Sequence, residues 1–337
     1  MSVTPRTLGG MDLPLVDGAP QAAVITAGDL RHGRECEYGL LVDLDVRLGR
    51  REPVVATVDP VRERFGDLGR EYEQEVTAAL SAQVGAGVVD ARRLGPDEVL
   101  TALRGPATRL VHQAAVRGER FVGRADHLLR GPDDLWVVAE TKLARRAHQH
   151  AQLQVAAYAR ALADAGVGVA PFVRLILGDG SEIDIPREDL ADELATVHTR
   201  LLEVLDTHAA ETGPVVWGDP RWRSCLFCDA CRAELAVRED VGLTAGVRAT
   251  TRARLLDAGV TTVTALAGRT EPVEGIDPEQ LATLRSQARL QIVEPTPEAP
   301  LPYEVFAPER LADLPAPSEG DVFLSLIHIS EPTRLLS

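Results

Sequence analysis

A single lysine and two acids form the pattern in this chain that points most directly to chemistry. Lys142 is the only lysine among 337 residues, although Lys and Arg together number 36, and Asn is absent, which indicates a compositional bias against both residue types. Arg can replace Lys where only charge is needed, but not where a compact ammonium on a flexible stem must reach one atom. Lys142 ends an apolar run as Glu140-x-Lys142, and Asp126 lies fourteen residues before Glu140. The pattern predicts a metal-dependent phosphodiesterase.

Strand geometry explains how these residues could meet. Side chains alternate along a strand, so Glu140 and Lys142 share one face. Pairing of a strand over 121–129 with one over 135–143 would bring Asp126 close to Glu140, and the two carboxylates would then repel. Mg²⁺ or Mn²⁺ would remove that repulsion and lower the pKa of a bound water. The alternative is a solvated Asp126 near a turn and an exposed ion pair between Glu140 and Lys142.

The cysteines form a second candidate site. Cys225, Cys228 and Cys231 follow the pattern C-x2-C-x2-C, and Cys36 lies far upstream. Four cysteines are too few for a secreted disulfide framework in a chain of this length, so the crowding suggests a metal or cluster in a reducing cytoplasm. Thiolates at this spacing can hold an iron–sulfur cubane. A tetrahedral Zn²⁺ ion is the alternative, and unmetallated buried thiols are a third possibility.

Periodicity predicts the elements that would position these residues. A helix is expected to start near Thr26 and to carry Cys36. The sequence further predicts helices, strands and a hairpin in the order helix, strand, strand, helix, hairpin, helix, over residues 70–84, 121–129, 135–143, 148–163, 173–185 and 188–208. This order is typical of an α/β or α+β fold around a mixed sheet.

Composition limits the classes of protein that fit. The net charge of −15 argues against a nucleic-acid binder that uses its whole surface. Arginines between Arg104 and Arg130, together with Arg145 and Arg146, could still form a local basic groove, or they could be scattered and solvated. No run approaches about 20 apolar residues and no signal peptide is evident, so we expect a cytoplasmic protein without a membrane partner.

Short motifs around the acids and the lysine resemble those of RecB-like nucleases of the PD-(D/E)XK superfamily. Three of them, and a fourth that resembles the family's upstream helical motif, occupy residues 123–128, 138–142, 154–159 and 69–73. The resemblance covers residues 26–235. It implies an α/β fold with a restriction-endonuclease-like mixed β-sheet core flanked by helices, followed by a small helical segment.

The resemblance also implies roles, position by position. It makes Asp126 and Glu140 metal ligands and Lys142 catalytic. Glu73 would add a further ligand, although Glu71 and Glu75 compete for that role. The implied catalytic set is completed by a helical pair four residues apart, Gln154 and Tyr158. Their alternative roles are a surface position for Gln154 and core packing for Tyr158.

Substrate and cofactor expectations follow from the same resemblance. It implies action on DNA, as single strands or ends, in recombination or repair, with a helicase as partner or fused domain. Four arginines would line the nucleic-acid channel: Arg120, Arg124, Arg145 and Arg146. Some relatives hold a [4Fe–4S] cluster with one cysteine before the nuclease core and three after it, which here implies Cys36, Cys225, Cys228 and Cys231.

The remaining segments differ in texture. Residues 1–25 look loose. Residues 240–292 resemble a helix–hairpin–helix, with a plain three-helix spacer as the alternative, and 293–320 reads as a Pro- and Glu-rich linker. Residues 321–337 resemble the opening of a ribonuclease H-like domain followed by translated sequencing-adapter DNA, so we expect the natural chain to be longer.

Two other functions remain open at this point. A catalytically inactive module of the same fold could bind nucleic acid or a helicase. An RNA-processing or CRISPR-adaptation nuclease would share the chemistry and differ in its substrate.

Overall fold

The computed structural model describes residues 24–54, 59–293, 302–305, 308–309, 315–316 and 318. Within these residues, seven strands form one mixed sheet in the order β2-β3-β4-β5-β6-β7, with β1 beside β4. The strands are β1 (Ile25–Thr26), β2 (Val88–Asp90), β3 (Leu110–Gly118), β4 (Phe121–Arg130), β5 (Trp136–Lys142), β6 (Phe172–Leu177) and β7 (Glu182–Pro186). The predicted α/β class with a mixed sheet flanked by helices is confirmed.

The described part of the chain has ten α-helices. They are α1 (Ala27–Glu35), α2 (Glu37–Arg47), α3 (Pro60–Val84), α4 (Pro96–Arg104), α5 (Gln149–Asp164), α6 (Arg187–Ala209), α7 (Asp229–Val237), α8 (Ala249–Asp257), α9 (Val263–Gly268) and α10 (Pro278–Gln291). None of these helices is long and apolar enough to cross a membrane.

The connections explain the mixture of strand directions. Short turns join β3, β4 and β5 as an antiparallel meander, and β6 and β7 as an antiparallel hairpin. β5 and β6 are parallel, and α5 makes the crossover that parallel neighbours require. The crossover helix lies over the sheet beside the end of β5, where Lys142 stands.

Two helices cover opposite faces of the sheet. Tyr158 of α5 packs against Phe121, with ring centroids 6.0 Å apart, and belongs to the main core. On the other face, Leu80 of α3 packs with Leu110 and Ala139 in a smaller core. Buried residues of α1, α2, α4, α6 and α7 also belong to the main core, so these helices pack in the same apolar layer as α5.

The regular alternation of β4 is broken at one point. Phe121 faces α5, and an added Cβ at Gly123 would lie 2.3 Å from the Tyr158 ring, so Gly123 also faces α5. His127 has the same parity, yet its Nε2 lies 2.7 Å from Thr77 Oγ1 of α3, on the other face. Strict alternation would have put these odd-numbered residues on one face. The break lies between them, at Asp126.

The break coincides with an interruption of the ladder. β3 and β4 pair His112 with His127 and Ala114 with Ala125, but the intervening Gln113 and Asp126 are not paired. Gln113 has φ of 54°, a left-handed backbone that is uncommon for a residue other than glycine. The candidate site therefore sits where the sheet is locally irregular.

Several elements differ from the sequence prediction. The helix expected near Thr26 is two helices, because Cys36 adopts an extended conformation and caps the second with its sulfur. α3 begins ten residues earlier than predicted, at Pro60, where the Asp59 side chain accepts two backbone N–H groups. Five strands and helices were not predicted: β1, β2, β3, α4 and α7.

Residues after α7 form a small helical unit with its own core. α8, α9 and α10 pack around Leu255, Leu266 and Leu284, and a 3₁₀ turn, Val241–Leu243, precedes them. Gly259, with φ of 76°, makes the turn between α8 and α9. Most of the predicted loose N-terminus and of the 293–320 linker, and all of the predicted tail 321–337, lie outside the described residues.

Candidate metal sites

The ends of β4 and β5 bring Asp126 and Glu140 together. The β4–β5 ladder runs from Arg130–Trp136 to His127–Ala139 and ends there. In the gap that follows, the Asp126 Oδ2 atom accepts the Thr141 N–H at 2.9 Å, replacing a strand partner with a side chain. The strand pairing predicted from the sequence thus brings the two acids near each other. Beyond the end of the ladder, the Asp126 side chain rather than its backbone contacts β5.

Lys142 and two residues of α5 surround Glu140. Lys142 Nζ donates to Glu140 Oε1 at 2.8 Å, and Gln154 Nε2 donates to the same oxygen at 2.8 Å. Gln154 Nε2 also lies 2.9 Å from Tyr158 Oη, and Gln154 Oε1 accepts from Lys142 at 3.3 Å. Gln154 and Tyr158, four residues apart on one helix face, therefore line the site.

A third acid, Glu73, reaches the site from α3. Its Oε1 accepts a hydrogen bond from Gln113 Nε2 at 2.5 Å, and the same amide nitrogen lies 3.3 Å from Asp126 Oδ1. Gln113 was not among the sequence-predicted site residues, because β3 itself was not predicted. The apolar run on either side of it, Leu110–Val111 and Ala114–Val116, was the available signal. We call Glu73, Asp126 and Glu140, with Lys142, the carboxylate site.

Burial and like charge shift the pKa values in the carboxylate site. Burial, and then the charges of Glu140 and Glu73, raise the pKa of Asp126 well above 3.8. Burial also raises the pKa of Glu140, although Lys142 opposes the shift. For Lys142, burial is the largest single cause and acts to lower the pKa, but the charge and hydrogen bond of Glu140 and the charges of Asp126 and Glu73 together outweigh it and raise the pKa. Tyr158 has a pKa well above 10.0 because of burial and the charge of Glu140. Three acids thus share one ammonium.

One oxygen in the carboxylate site has no partner. Glu140 is 3% exposed, and its Oε2 atom is buried without a hydrogen bond among the described residues. A bare carboxylate oxygen in a buried position is costly unless a cation or donor meets it. Carboxylates are the protein ligands that Mg²⁺ and Mn²⁺ prefer. The donor set therefore fits a divalent cation.

The four predicted nucleic-acid arginines divide into two pairs. Arg120 makes a two-point ion pair with Asp206, with N–O distances of 2.5 and 2.8 Å. Arg124 donates to the backbone carbonyls of Gln113 and Ala91 at 2.6 and 3.2 Å. Both guanidinium groups thus have partners within the protein, and the expectation that these two residues contact nucleic acid stays a prediction. Arg145 and Arg146 are exposed in the loop after β5.

The four cysteines meet in one place. All four Sγ atoms lie within 4.8 Å of one another. Cys36 Sγ is 3.4 Å from Cys231 Sγ and 3.7 Å from Cys228 Sγ. Among the described residues, this is the one set of three or more Cys, His, Asp or Glu side chains so closely grouped, and the three carboxylates are spaced more widely. We call these four residues the thiol site; they could hold a metal ion.

Backbone N–H groups point at the sulfurs. Gly39 N–H donates to Cys36 Sγ at 3.2 Å, and Cys228 N–H donates to Cys225 Sγ at 3.2 Å. Hydrogen bonds from the other thiols lower the pKa of Cys36 well below its ordinary value, and the neighbouring Cys228 lowers that of Cys225 to about 6. For Cys36 and Cys225 the surroundings therefore favour the thiolate, the form that binds metals. Hydrogen bonds with neighbouring thiols, together with burial, raise the pKa of Cys228 and Cys231 instead.

Gly39 is required by the closeness of the thiol site to α1. A Cβ at this position would lie 2.6 Å from His32 Nε2 and 3.0 Å from Cys228 Sγ. Any side chain would therefore push either the imidazole or the sulfur away. The His32 Nδ1 atom lies 3.6 Å from Asp43 Oδ2, and hydrogen bonding to Asp43 is the largest cause that raises the pKa of His32 to about 10.

Comparison with known proteins adds little to the description of these two sites. No protein-family model matches the sequence, and no curated protein matches it either. Among solved structures, the crystal structure of SSO0001 is similar at 17% sequence identity over 57% of this chain and 78% of that chain, with a TM-score of 0.27. A TM-score at this level does not establish a shared fold.

Proposed function

We propose that this chain carries a metal-dependent nuclease domain of the RecB-like, restriction-endonuclease-like type. The observation that carries the proposal is the buried Glu140 with a bare Oε2 atom, beside Asp126 and in contact with the only lysine of the chain. An ordinary structural ion pair would not gather three acids around one ammonium. A phosphodiester-cleaving site needs this combination of metal ligands and a movable cation.

Glu73, Asp126 and Glu140 would hold Mg²⁺ or Mn²⁺. When bound, such an ion lowers the pKa of a water and stabilises negative charge on a phosphoryl group. Gln154 fixes the Oε1 atom of Glu140 by a hydrogen bond, so the other oxygen keeps one orientation. Thr141 N–H does the same for Asp126. The protein thus sets the direction of each ligand before any cation arrives.

Lys142 supplies the mobile charge. Its Nζ atom bridges Glu140 and Gln154, and its side chain is 28% exposed, so the ammonium lies at the boundary between the acids and solvent. From this position it can orient an attacking water or neutralise charge on the phosphate oxygens. Guanidinium, wide and planar, could not pivot between these two partners in the same space.

The substrate class we propose is DNA, as single strands or ends. Arg145 and Arg146 lie exposed in the loop that directly follows Lys142, where a phosphate backbone entering the site would pass. A net charge of −15 makes this local pair the more important, since the remaining surface repels polyanions.

A cleavage assay tests the proposal. We expect single-stranded DNA to be cut in Mg²⁺ or Mn²⁺ and not in chelator, with Lys142→Ala and Asp126→Asn each losing at least about a hundredfold in rate, as for loss of a transition-state contact. Arg160→Ala, on the solvent side of α5, is the matched control and should cut normally. Folded protein that binds DNA but cuts no DNA or RNA form would instead support the non-catalytic binding module.

For the thiol site we propose a bound metal centre with a structural role. The family resemblance favours a [4Fe–4S] cluster. The sulfur separations favour a single Zn²⁺, because a tetrahedral ion with Zn–S bonds of about 2.3 Å places its sulfurs about 3.8 Å apart, close to the 3.4 and 3.7 Å found here. Absorbance near about 400 nm in anaerobically purified protein would identify the cluster. A colourless protein with one zinc per chain would identify the ion.

A further inference from the structure

Gln113 is the residue of the carboxylate site whose backbone is least ordinary. Its φ of 54° lies in the left-handed region, inside a strand whose other described residues are extended. A non-glycine residue persists there only when the surrounding structure holds it, and such residues cluster at functional sites. The strain alone assigns no role, so the contacts of the side chain decide what it does.

The side-chain amide of Gln113 stands between two acids. Its Nε2 atom lies 2.5 Å from Glu73 Oε1 and 3.3 Å from Asp126 Oδ1, so one NH₂ group offers a proton to each carboxylate. The two acids come from different elements, α3 and β4, and would otherwise repel. A neutral amide holds both without adding charge that would compete with a cation.

Arg124 fixes the backbone that delivers this amide. Its Nη1 atom donates to the Gln113 carbonyl at 2.6 Å and to the Ala91 carbonyl at 3.2 Å. The Gln113 carbonyl is thereby engaged at the position where the β3–β4 ladder omits a pair. Arg124, one of the four arginines expected to line a nucleic-acid channel, thus holds the irregular part of the strand in place.

We propose that Gln113, secured by Arg124, is a positioning residue that spaces Glu73 and Asp126 so that both can reach one divalent cation. The inference rests on the proposed nuclease function, because it concerns the ligands of that metal. Glu73 is half-exposed on α3, and the Gln113 amide is what ties its carboxylate to the sheet. Without the amide, Glu73 is free to turn into solvent and the cation loses a ligand.

Mn²⁺ binding measured by calorimetry tests this proposal, and the measurement does not require nuclease activity. We expect Gln113→Met to raise the Mn²⁺ Kd by about tenfold or more, the usual scale for loss of a group that orients a metal ligand. Gln113→Gly should do the same while fitting the left-handed backbone, which separates the lost amide from misfolding. Gln152→Met is the matched control, since within the described residues the Gln152 side chain donates to the Ala147 carbonyl, outside the site, and this variant should bind Mn²⁺ as wild type does.

A double-mutant cycle shows whether Gln113 acts through Glu73. Glu73→Gln and Gln113→Met should each weaken binding, and the double variant should bind about as weakly as the worse single one, because residues that act together are not additive. Wild-type Mn²⁺ affinity in both Gln113 variants, or full additivity in the cycle, would overturn this inference alone. Failure of the wild-type protein to bind Mn²⁺ would overturn the proposed function itself.

Discussion

Glu140 in the carboxylate site accepts hydrogen bonds from Lys142 and Gln154, whereas Cys36 in the thiol site meets backbone N–H groups and other sulfurs. The acids are therefore partly satisfied by the protein's own side chains. The sulfurs have no lysine or arginine contact among their described hydrogen bonds and ion pairs, and the cationic group beside Cys36 is His32, whose pKa is raised to about 10 by hydrogen bonds to Asp43 and Cys36. A site that binds and releases a substrate must be stable when it is empty, so its charged groups need hydrogen-bond partners within the protein. A structural site can instead depend on a permanently bound metal.

The two sites also differ in what they connect. The carboxylate site is formed by residues of β3, β4 and β5 and of the two helices that cover them, α3 and α5. All of these elements belong to one sheet or pack on it. The thiol site joins Cys36, between α1 and α2, to Cys225–Cys231 at the start of α7, across 195 positions of sequence. On the functions proposed above, metal at the first site should affect activity, and metal at the second should affect the stability of the fold.

Loss of one thiol is the largest effect that this comparison predicts. Cys231→Ser should remove the metal and destabilise the domain by on the order of 5 kcal/mol or more, since binding energy at a structural metal site is folding energy. Metal content and thermal unfolding by circular dichroism measure it. Arg160→Ala serves as the control, and a Cys231→Ser protein that melts like wild type would show that the thiols need no metal.

Loss of the only lysine comes next. Lys142→Met leaves Glu140 and Asp126 without their nearest cation, so in chelator it should destabilise the domain by about 3 kcal/mol, as for a broken buried pair. Asp126→Asn removes a repelling charge and should leave stability unchanged or higher. Urea unfolding of both variants separates these outcomes, and equal destabilisation by the two would contradict the charge argument.

A smaller effect is expected at Gly39. Gly39→Ala places a methyl group against His32 and Cys228, and overpacking of this kind costs about 1–3 kcal/mol. We expect the variant to fold but to release its metal to a chelator faster than wild type. Gly49→Ala is a poor comparison because Gly49 has φ of 68°, so Gly213→Ala, with open space around it, is the control. Identical release rates would show that the imidazole moves aside freely.

The smallest effect is a pH dependence. The folded-state pKa values of Asp126 and Glu140 lie above their ordinary values of 3.8 and 4.5. The folded protein therefore holds protons that the unfolded chain has lost, and metal-free stability should fall as pH rises above about 4 through the raised values. Asp126→Asn should flatten this slope, and saturating Mg²⁺ should do so too. A slope unchanged in the variant would mean that Asp126 ionises normally.

Local sequence patterns predicted part of the carboxylate site. Alternation put Glu140 and Lys142 on one face, and the four-residue spacing put Gln154 and Tyr158 on one face of a helix, because both depend only on strand and helix geometry. The expectation that this helix face lines the site came from the family resemblance. Gln113 could not be found in this way. Its role depends on a left-handed backbone and on Arg124, and neither is visible in a pattern that assumes regular strands.

The thiol site, too, could be predicted only in part from the sequence. The C-x2-C-x2-C spacing identified three ligands, and counting supplied Cys36 as the fourth. The break between α1 and α2 at Cys36, and the helix α7 that follows Cys228, were not predicted. Gly39 looked like an ordinary helical residue until its neighbours across the fold were known.

The distance in sequence between Cys36 and Cys231 has a consequence for synthesis. A ribosome makes the strands of the sheet and the helices that cover it before it reaches Cys231. During that interval the nascent domain lacks the cysteine that completes the thiol site. During this period the apolar face of α2 that packs against α7 is uncovered, and such surfaces are prone to aggregate or to bind chaperones. With the proposed metal at the thiol site, iron or zinc supply in the cell would act on the yield of folded chain.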